Sequence, residues 1–338
     1  SSVKTMKKIT VSIDLKTLTR REFLGTAMKG GAAAGALMLP WELALAQTKL
    51  QVGTMKIGDL SPFFLAQERG YFKDAGLDLN ITAMVGGAAI QPALASGALN
   101  IGWSNVVSVY QGYLEGFDYR FIANGAINKR ATNDVFGFQV AVDSPIKSAK
   151  DLSGKIIAAN TLSNIIQASG LHWIDNNGGD SSKVKWVEVP FPQMEPALVQ
   201  KHIDAFVAVE PFVTVPSKVN KRTRVLGYPL GGIAPRLLIA SYFCSEGWIQ
   251  KNGEAVKAFI TALNRGIDAH NANPEEAKAT IAKNTGLKPD FLKLMALPAF
   301  EKRIQESDLQ PMMDVAFHYK LINKKFPPRE LISKLAAA

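Results

Sequence analysis

The sequence predicts an α/β fold of two successive lobes, each a mostly parallel sheet flanked by helices, with a ligand cleft between them. Three observations predict it. Extended apolar runs alternate with helical ones from residue 49 to residue 244, the pattern of βα units whose strands pair in parallel. The alternation falls into two cycles of roughly 90–100 residues, each the size of a small domain. A helical tail then runs on from Glu246, and it can bury its apolar face only by packing back on the first lobe.

In the first cycle KLQVGTMKI (49–57) reads as a strand. Ser61-Pro62 follows as an N-cap with proline at the first helical position, and Phe64, Leu65, Glu68 and Tyr71 continue at helical spacing. Gly76 is placed to close that unit as a C-cap, ahead of the strand LDLNITAMV (77–85). Gly86-Gly87 opens the helix AIQPALASG. NIGWS (100–104) is the third strand, VVSVYQGYLEG (106–116) a helix and YRFIANGAI (119–127) another strand.

The second cycle begins with FGFQVAV (136–142), followed by the polar connection DSPIKSAKDLSGK. IIAAN (156–160) is a strand, NIIQASGLHWIDNNGG (164–179) a helix closed by glycine, KVKWVEV (183–189) a strand and PQMEPALVQKH (192–202) a helix. IDAFVAV (203–209) ends at Glu210-Pro211-Phe212, and RVLGYPL and RLLIASYFC add two extended runs. From Glu246 the pattern is helical to the end, with Asn273-Pro274-Glu275-Glu276 as a helix start. The tail makes the chain cross between lobes twice, near 138–144 and near 230–240. The lobes are then 47–140 plus 236–338, and 141–235.

Ahead of the fold stands TLTRREFLGTAMKGGAAAGALMLP (17–40). Arg20 and Arg21 before a short glycine- and alanine-rich core have the pattern of a twin-arginine export signal. Gly30 to Leu39 is too short for a bilayer span of roughly 20 residues, and Ala44-Leu45-Ala46 supplies a small-x-small cleavage site. Residues 1–46 are therefore expected to be removed, leaving a protein that begins near Gln47 in the periplasm. No cysteine follows the apolar core to carry a lipid anchor. The leader holds seven Lys/Arg and three Asp/Glu, so four of the ten net positive charges leave with it. The rest are spread along the chain. The densest cluster, KVNKRTR (218–224), reads as a solvated turn and not as a nucleic-acid surface.

Little in the chain supports catalysis. Cys244 stands alone in an apolar run, as a buried inert thiol. His172, His202, His270 and His318 are isolated, so no zinc site is legible. GxSxG, GxxxxGK[ST] and GxGxxG are absent. No cofactor is implied, and the protein is read as a non-enzyme.

Four stretches carry a family resemblance: SPFFLAQERGYFKDAGLDLNI (61–81), QPALASGALNIGWS (91–104), VDSPIKSAKDLSGKIIAA (142–159) and QKHIDAFVAVEPF (200–212). With the leader, they resemble the periplasmic substrate-binding proteins of ABC transporters, in the sulfonate, taurine, nitrate and thiamine-pyrimidine-synthesis-like group. Asn100 replaces that group's usual Asp and His202 its usual Gly. The resemblance implies a periplasmic-binding-protein fold of type II. It also implies capture of a small organic, anionic molecule, such as a sulfonate or carboxylate, by lobe closure. The implied partner is a permease in the inner membrane, met by a monomer that binds no nucleic acid. Alternatives on the same fold are a pyrimidine or thiamine-precursor binder, a synthesis-like enzyme, and a ligand-sensing partner of a membrane signalling protein. The enzymatic relatives depend on a cysteine-rich run and an iron-linked histidine, which this chain lacks.

Three strand-to-helix junctions are expected to face the cleft: Asp59-Leu60-Ser61, Trp103-Ser104-Asn105, and Asn160-Thr161-Leu162-Ser163-Asn164. Helix N-termini there offer N–H groups and a dipole to an anion; equally, Ser61, Ser104 and Ser163 can simply cap their own helices. Glu210 and Phe212 close the set, Glu210 as an acceptor for an amine or pyrimidine-type N–H or as a surface residue before a turn. Trp103 and Phe212 either stack on a ligand ring or pack in the core. Arg130 and Arg236, near the crossings, either clamp a carboxylate or sulfonate or face solvent.

Overall fold

Two five-stranded sheets organise the chain, and the order of their strands follows from where the chain crosses between them. The computed structural model describes residues 47–130 and 134–336, so the expected export leader lies outside the described residues. The first sheet holds β1 (Thr48–Thr54), β2 (Leu77–Ala83), β3 (Ile101–Asn105), β4 (Tyr119–Lys129) and β10 (Arg236–Ser245) in the order β2-β1-β3-β10-β4. The second holds β5 (Phe136–Ala141), β6 (Ile156–Ala159), β7 (Lys185–Glu188), β8 (Ala205–Val209) and β9 (Thr223–Gly227) in the order β7-β6-β8-β5-β9.

The two orders are the same pattern. β1 pairs in parallel with β2 and β3, and β6 in parallel with β7 and β8. One strand in each sheet is reversed: β10 runs against β3 and β4, and β5 against β8 and β9. The reversed strand is in each case the one that follows a change of sheet. Lys129, the last residue of β4, pairs with Arg236, the first of β10, and Val209, the last of β8, pairs with Phe136, the first of β5. Both crossings therefore occur at the carboxyl ends of the parallel strands, and an entering strand can only run away from that edge. Ligand clefts of open α/β sheets lie at the same edge.

β5 begins five residues before the boundary expected at 141 and is hydrogen-bonded in the second sheet. The chain changes sheet between Lys129 and Phe136, and the stretch from Val142 to Lys155 is a connection within the second sheet, from β5 to β6.

The helices of the first half are α1 (Ser61–Glu68), α2 (Tyr71–Asp74), α3 (Gly87–Ala95) and α4 (Val106–Leu114). Those of the second are α5 (Ile165–Asn176) and α6 (Phe191–Val199). The tail contributes α7 (Glu246–Lys251), α8 (Gly253–Ala272), α9 (Pro274–Thr285) and α10 (Glu306–His318). It is not helical throughout. Apart from short 3-10 turns at Pro289–Leu294 and Pro328–Leu331, residues 286–305 and 319–336 are irregular. Isolated bridges Ile127↔Ala299 and Phe121↔Ile332 tie these segments to β4, which accounts for backbone groups that a helix would have paired internally.

The helical part docks as its periodicity requires. Val256, Phe259, Ile260, Leu263 and Ile267 of α8 are buried on one face. Gly266 permits the close approach to α1, since a Cβ there would lie 2.4 Å from the Pro62 carbonyl oxygen. Phe259 stacks on Phe72 at 5.2 Å and meets Tyr242 edge-on at 5.6 Å, while Phe63 lies 5.3 Å from Phe72. Each such pair adds about 0.5–1.5 kcal/mol to the area it buries.

Candidate functional site

The carboxyl edges of the two sheets face each other and are joined by hydrogen bonds. Gly58 N–H donates to the Glu210 carbonyl at 2.8 Å, and Asn160 Nδ2 donates to the Val85 carbonyl at 3.0 Å. Ile165 N–H donates to Asn105 Oδ1 at 3.2 Å, and Gln111 Nε2 donates to the Ser163 carbonyl at 2.6 Å. Between the walls lies a small cavity of about 20 Å³ bordered by Asp59, Gly86, Trp103, Asn105, Asn160 and Asn164, with Phe136, Val209 and Ile239 as apolar walls. Beside it runs a larger groove of about 350 Å³ lined by Met84, Val85, Pro190, Pro192 and Phe212. Met55, Ile57 and Phe191 border both spaces, so the two adjoin.

Five of the expected residues thus meet at the cavity: Asp59, Trp103, Asn105, Asn160 and Asn164. The others do not line it. Leu60 is core, wholly buried. Ser61 is buried as the first residue of α1 and caps nothing, because Leu60 holds the cap position. Ser104 lies behind Gly87 and donates to the Asn105 carbonyl at 2.9 Å. Thr161 Oγ1 accepts from Asn164 Nδ2 at 2.9 Å. Ser163 takes a left-handed backbone, φ 59°, and offers its carbonyl to Gln111. Phe212 lines the groove and stacks on Phe191 at 5.8 Å. Glu210 sits one step outside, in a polar depression with Thr214, Lys218 and Lys293.

Sequence reasoning offered these helix ends to an anion, and the structure has already filled two of them. Asn105 caps α4, accepting from Ser108 N–H at 3.1 Å, and it accepts from Ile165 across the cleft as well. Asn164 caps α5, accepting from Ile166 and Gln167 N–H at 3.0 and 3.2 Å. Leu162 N–H goes to Glu188 Oε1 and Ser163 N–H to Gln167 Oε1. With its first-turn donors paired to neutral amides, α5 has little left to give an anion. The asparagines do the capping, not the serines.

The expected arginines are also committed elsewhere. Arg130 Nε donates to the Gly231 carbonyl at 2.9 Å. Arg236 forms paired bonds of 2.7–2.9 Å to Glu301 and Asp308, and Arg236, more than any other group, holds the Glu301 carboxyl down to about 2. Among the described residues bordering the cavity there is no lysine or arginine.

Asp59 is the electrostatic centre of the site. It is 1% exposed, and its Oδ2 has no hydrogen-bond partner among the described residues. Burial, and secondarily the negative field of Glu210, push its carboxyl up to about 7. Glu210, equally buried, differs in being satisfied. It accepts from Thr214 N–H at 2.9 Å and Thr214 Oγ1 at 2.6 Å, and these bonds oppose the rise that burial causes.

Sequence reasoning missed Gly86 and Gly87, noting them only as a helix start. A Cβ on Gly87 would lie 2.0 Å from Ser104 Oγ, and one on Gly86 2.9 Å from Asn160 Nδ2. The wall has no room for side chains, and the paired glycine after a strand was the available signal. Phe191 and Met55 carried no such signal. Among the described residues no cluster of three or more His, Cys, Asp or Glu is arranged to hold a metal. No described helix is long and apolar enough to cross a membrane.

Comparison with known proteins fits this geometry. Of solved structures, the periplasmic aliphatic sulphonate binding protein SsuA of Escherichia coli matches at 18% identity and TM-score 0.68, over 85% of this chain and 92% of that one. The alkanesulfonate-binding protein SsuA of Xanthomonas axonopodis pv. citri, solved with MOPS, matches at 16% identity and TM-score 0.70, over 86% and 96%. The periplasmic nitrate-binding protein NrtA of Synechocystis PCC 6803 matches at 16% identity and TM-score 0.63, over 72% and 69%. They share the two-sheet periplasmic-binding-protein fold. No curated protein matches by sequence. The NMT1/THI5-like family, in contrast, matches residues 58–277, well over half of the chain. The chain belongs to the NMT1/THI5-like family.

Proposed function

We propose that this protein is the periplasmic solute-binding component of an ABC importer, which captures a small organic molecule between its two sheets and presents it to an inner-membrane permease. The observation that carries the reading is Asp59 Oδ2, a buried polar atom without a protein partner, at a cavity bridged by hydrogen bonds from both walls. Buried polar atoms are nearly always paired, and an orphan at the centre of a cleft is a place where a ligand supplies the partner. The sheets act as two lobes, with β5 grouped in the second, and the bonds Gly58–Glu210 and Asn160–Val85 fasten the closed form. The named neighbours, which bind sulfonates and nitrate, support capture as the function. The export pattern at Arg20-Arg21 supports the periplasmic location.

A thermal-shift screen of residues 47–338 against sulfonates, nitrate, carboxylates, amines and pyrimidines tests the reading. A ligand at 100 times its Kd stabilises by about 2.7 kcal/mol, worth roughly 4–5 °C in a chain of this size. The stabilising compound should lose its effect in Met55→Trp, which fills the junction of cavity and groove. A shift that survives Met55→Trp places binding outside the cleft and contradicts the proposal.

A further inference from the structure

The cleft offers two unlike spaces end to end, and together they define a ligand class. The inner one is small, about 20 Å³, and suits a compact polar head group rather than a bulky body. The outer groove of about 350 Å³ is walled by Met55, Met84, Pro190, Phe191, Pro192 and Phe212, surfaces suited to an apolar or aromatic body.

We propose that the ligand is an organic cation whose ammonium head enters the inner cavity to donate to Asp59 Oδ2, while its apolar body lies in the groove beside Phe191 and Phe212. This rests on the reading of the cleft as the capture site. Three independent features agree. Asp59 Oδ2 needs a donor. Asn105, Asn160 and Asn164, the amides at the cavity, already have their oxygens engaged by N–H groups of the protein. Among the described residues no lysine or arginine borders the cavity to hold an anion, whereas a carboxyl stands in it. Lys56 borders the groove, but it is exposed and faces the outer space rather than the cavity. A bound cation would also favour the charged form of Asp59, the form that burial now disfavours.

The test uses three probes of matched shape, 2-phenylethylamine, 2-phenylethanol and 2-phenylethanesulfonate, titrated calorimetrically into the wild-type chain, Asp59→Asn and Phe191→Ala. The proposal expects the amine to bind most tightly and Asp59→Asn to weaken it by roughly 10- to 100-fold, as loss of a charge-assisted hydrogen bond does. The alcohol should change little in that variant. Phe191→Ala should weaken amine and alcohol alike. Equal affinity for amine and alcohol, tighter binding of the sulfonate, unchanged amine affinity in Asp59→Asn, or no amine binding at millimolar concentration each overturn it. Sulfonate binding abolished by Met55→Trp would overturn the ligand class and leave capture in the cleft standing; sulfonate binding untouched by Met55→Trp would overturn both.

Discussion

The two walls of the cleft bury polar side chains to a similar depth and differ in how they are paired. On the second-sheet wall the amides satisfy one another: Asn164 Nδ2 donates to Asn160 Oδ1 at 2.8 Å and to Thr161 Oγ1 at 2.9 Å, and Asn160 reaches across to Val85. On the first-sheet wall Asp59 Oδ2 and Trp103 Nε1 have no partners among the described residues. A satisfied network holds a shape, and an unsatisfied one waits for a partner. The second wall therefore reads as the clamp, and the first as the recognition surface. Asp59 and Glu210 repeat the contrast as a pair, two buried carboxyls of which Glu210 has both oxygens paired and Asp59 leaves Oδ2 without a partner.

That contrast breaks most sharply through stability. Asp59 has its carboxyl raised in the folded state from 3.8 to about 7. Its contribution is thus fully present below about pH 3.8 and lost as pH rises through about 7. Three units correspond to a loss on the order of 4 kcal/mol. Asp59→Asn, neutral at every pH, should lack this loss and be more stable than wild type above neutrality, as measured by urea unfolding across that range. Equal pH dependence in both proteins would contradict the burial argument. Glu210→Gln should gain less near neutrality than Asp59→Asn, because burial raises the Glu210 carboxyl too while the Thr214 bonds oppose the rise. Loss of one acceptor there costs about 1–3 kcal/mol; a gain as large as that of Asp59→Asn would show that those bonds do not hold the residue.

Smaller effects sharpen the role of the second wall. Asn164→Ala deletes the α5 cap and two side-chain bonds, and should cost about 1–2 kcal/mol in thermal unfolding. Asn160→Ala removes the bond to Val85, about 0.5–1.5 kcal/mol. Its signature should be a larger radius in small-angle scattering without a comparable fall in melting temperature. If the radius is unchanged, that bond is no fastener.

Much of the fold was legible because it rests on local pattern. The strand at 203–209, the helix from Asn164 and the helix start at Asn273-Pro274 each follow from periodicity and caps, and Asn273 does accept from Glu276 N–H. The reversal of β5 and β10 was not legible, since strand direction depends on where the chain crosses and not on the residues in the strand. The irregular stretch at 286–305 was included in a tail read as helical throughout; the bridge between Ile127 and Ala299 supplies backbone pairing there. At the site, the turns carrying Asp59, Trp103 and Asn164 were legible as strand ends. The charge state of Asp59 was not. It depends on burial and on Glu210, which lies 151 residues away in the chain.

The most direct test is a crystal structure of residues 47–338 with the compound that gives the largest thermal shift. The account predicts the ligand between Trp103 and Phe191, with a nitrogen about 3 Å from Asp59 Oδ2. A ligand seated in the separate groove by His172, Asp314 and Tyr319, with the cleft unchanged, would contradict it.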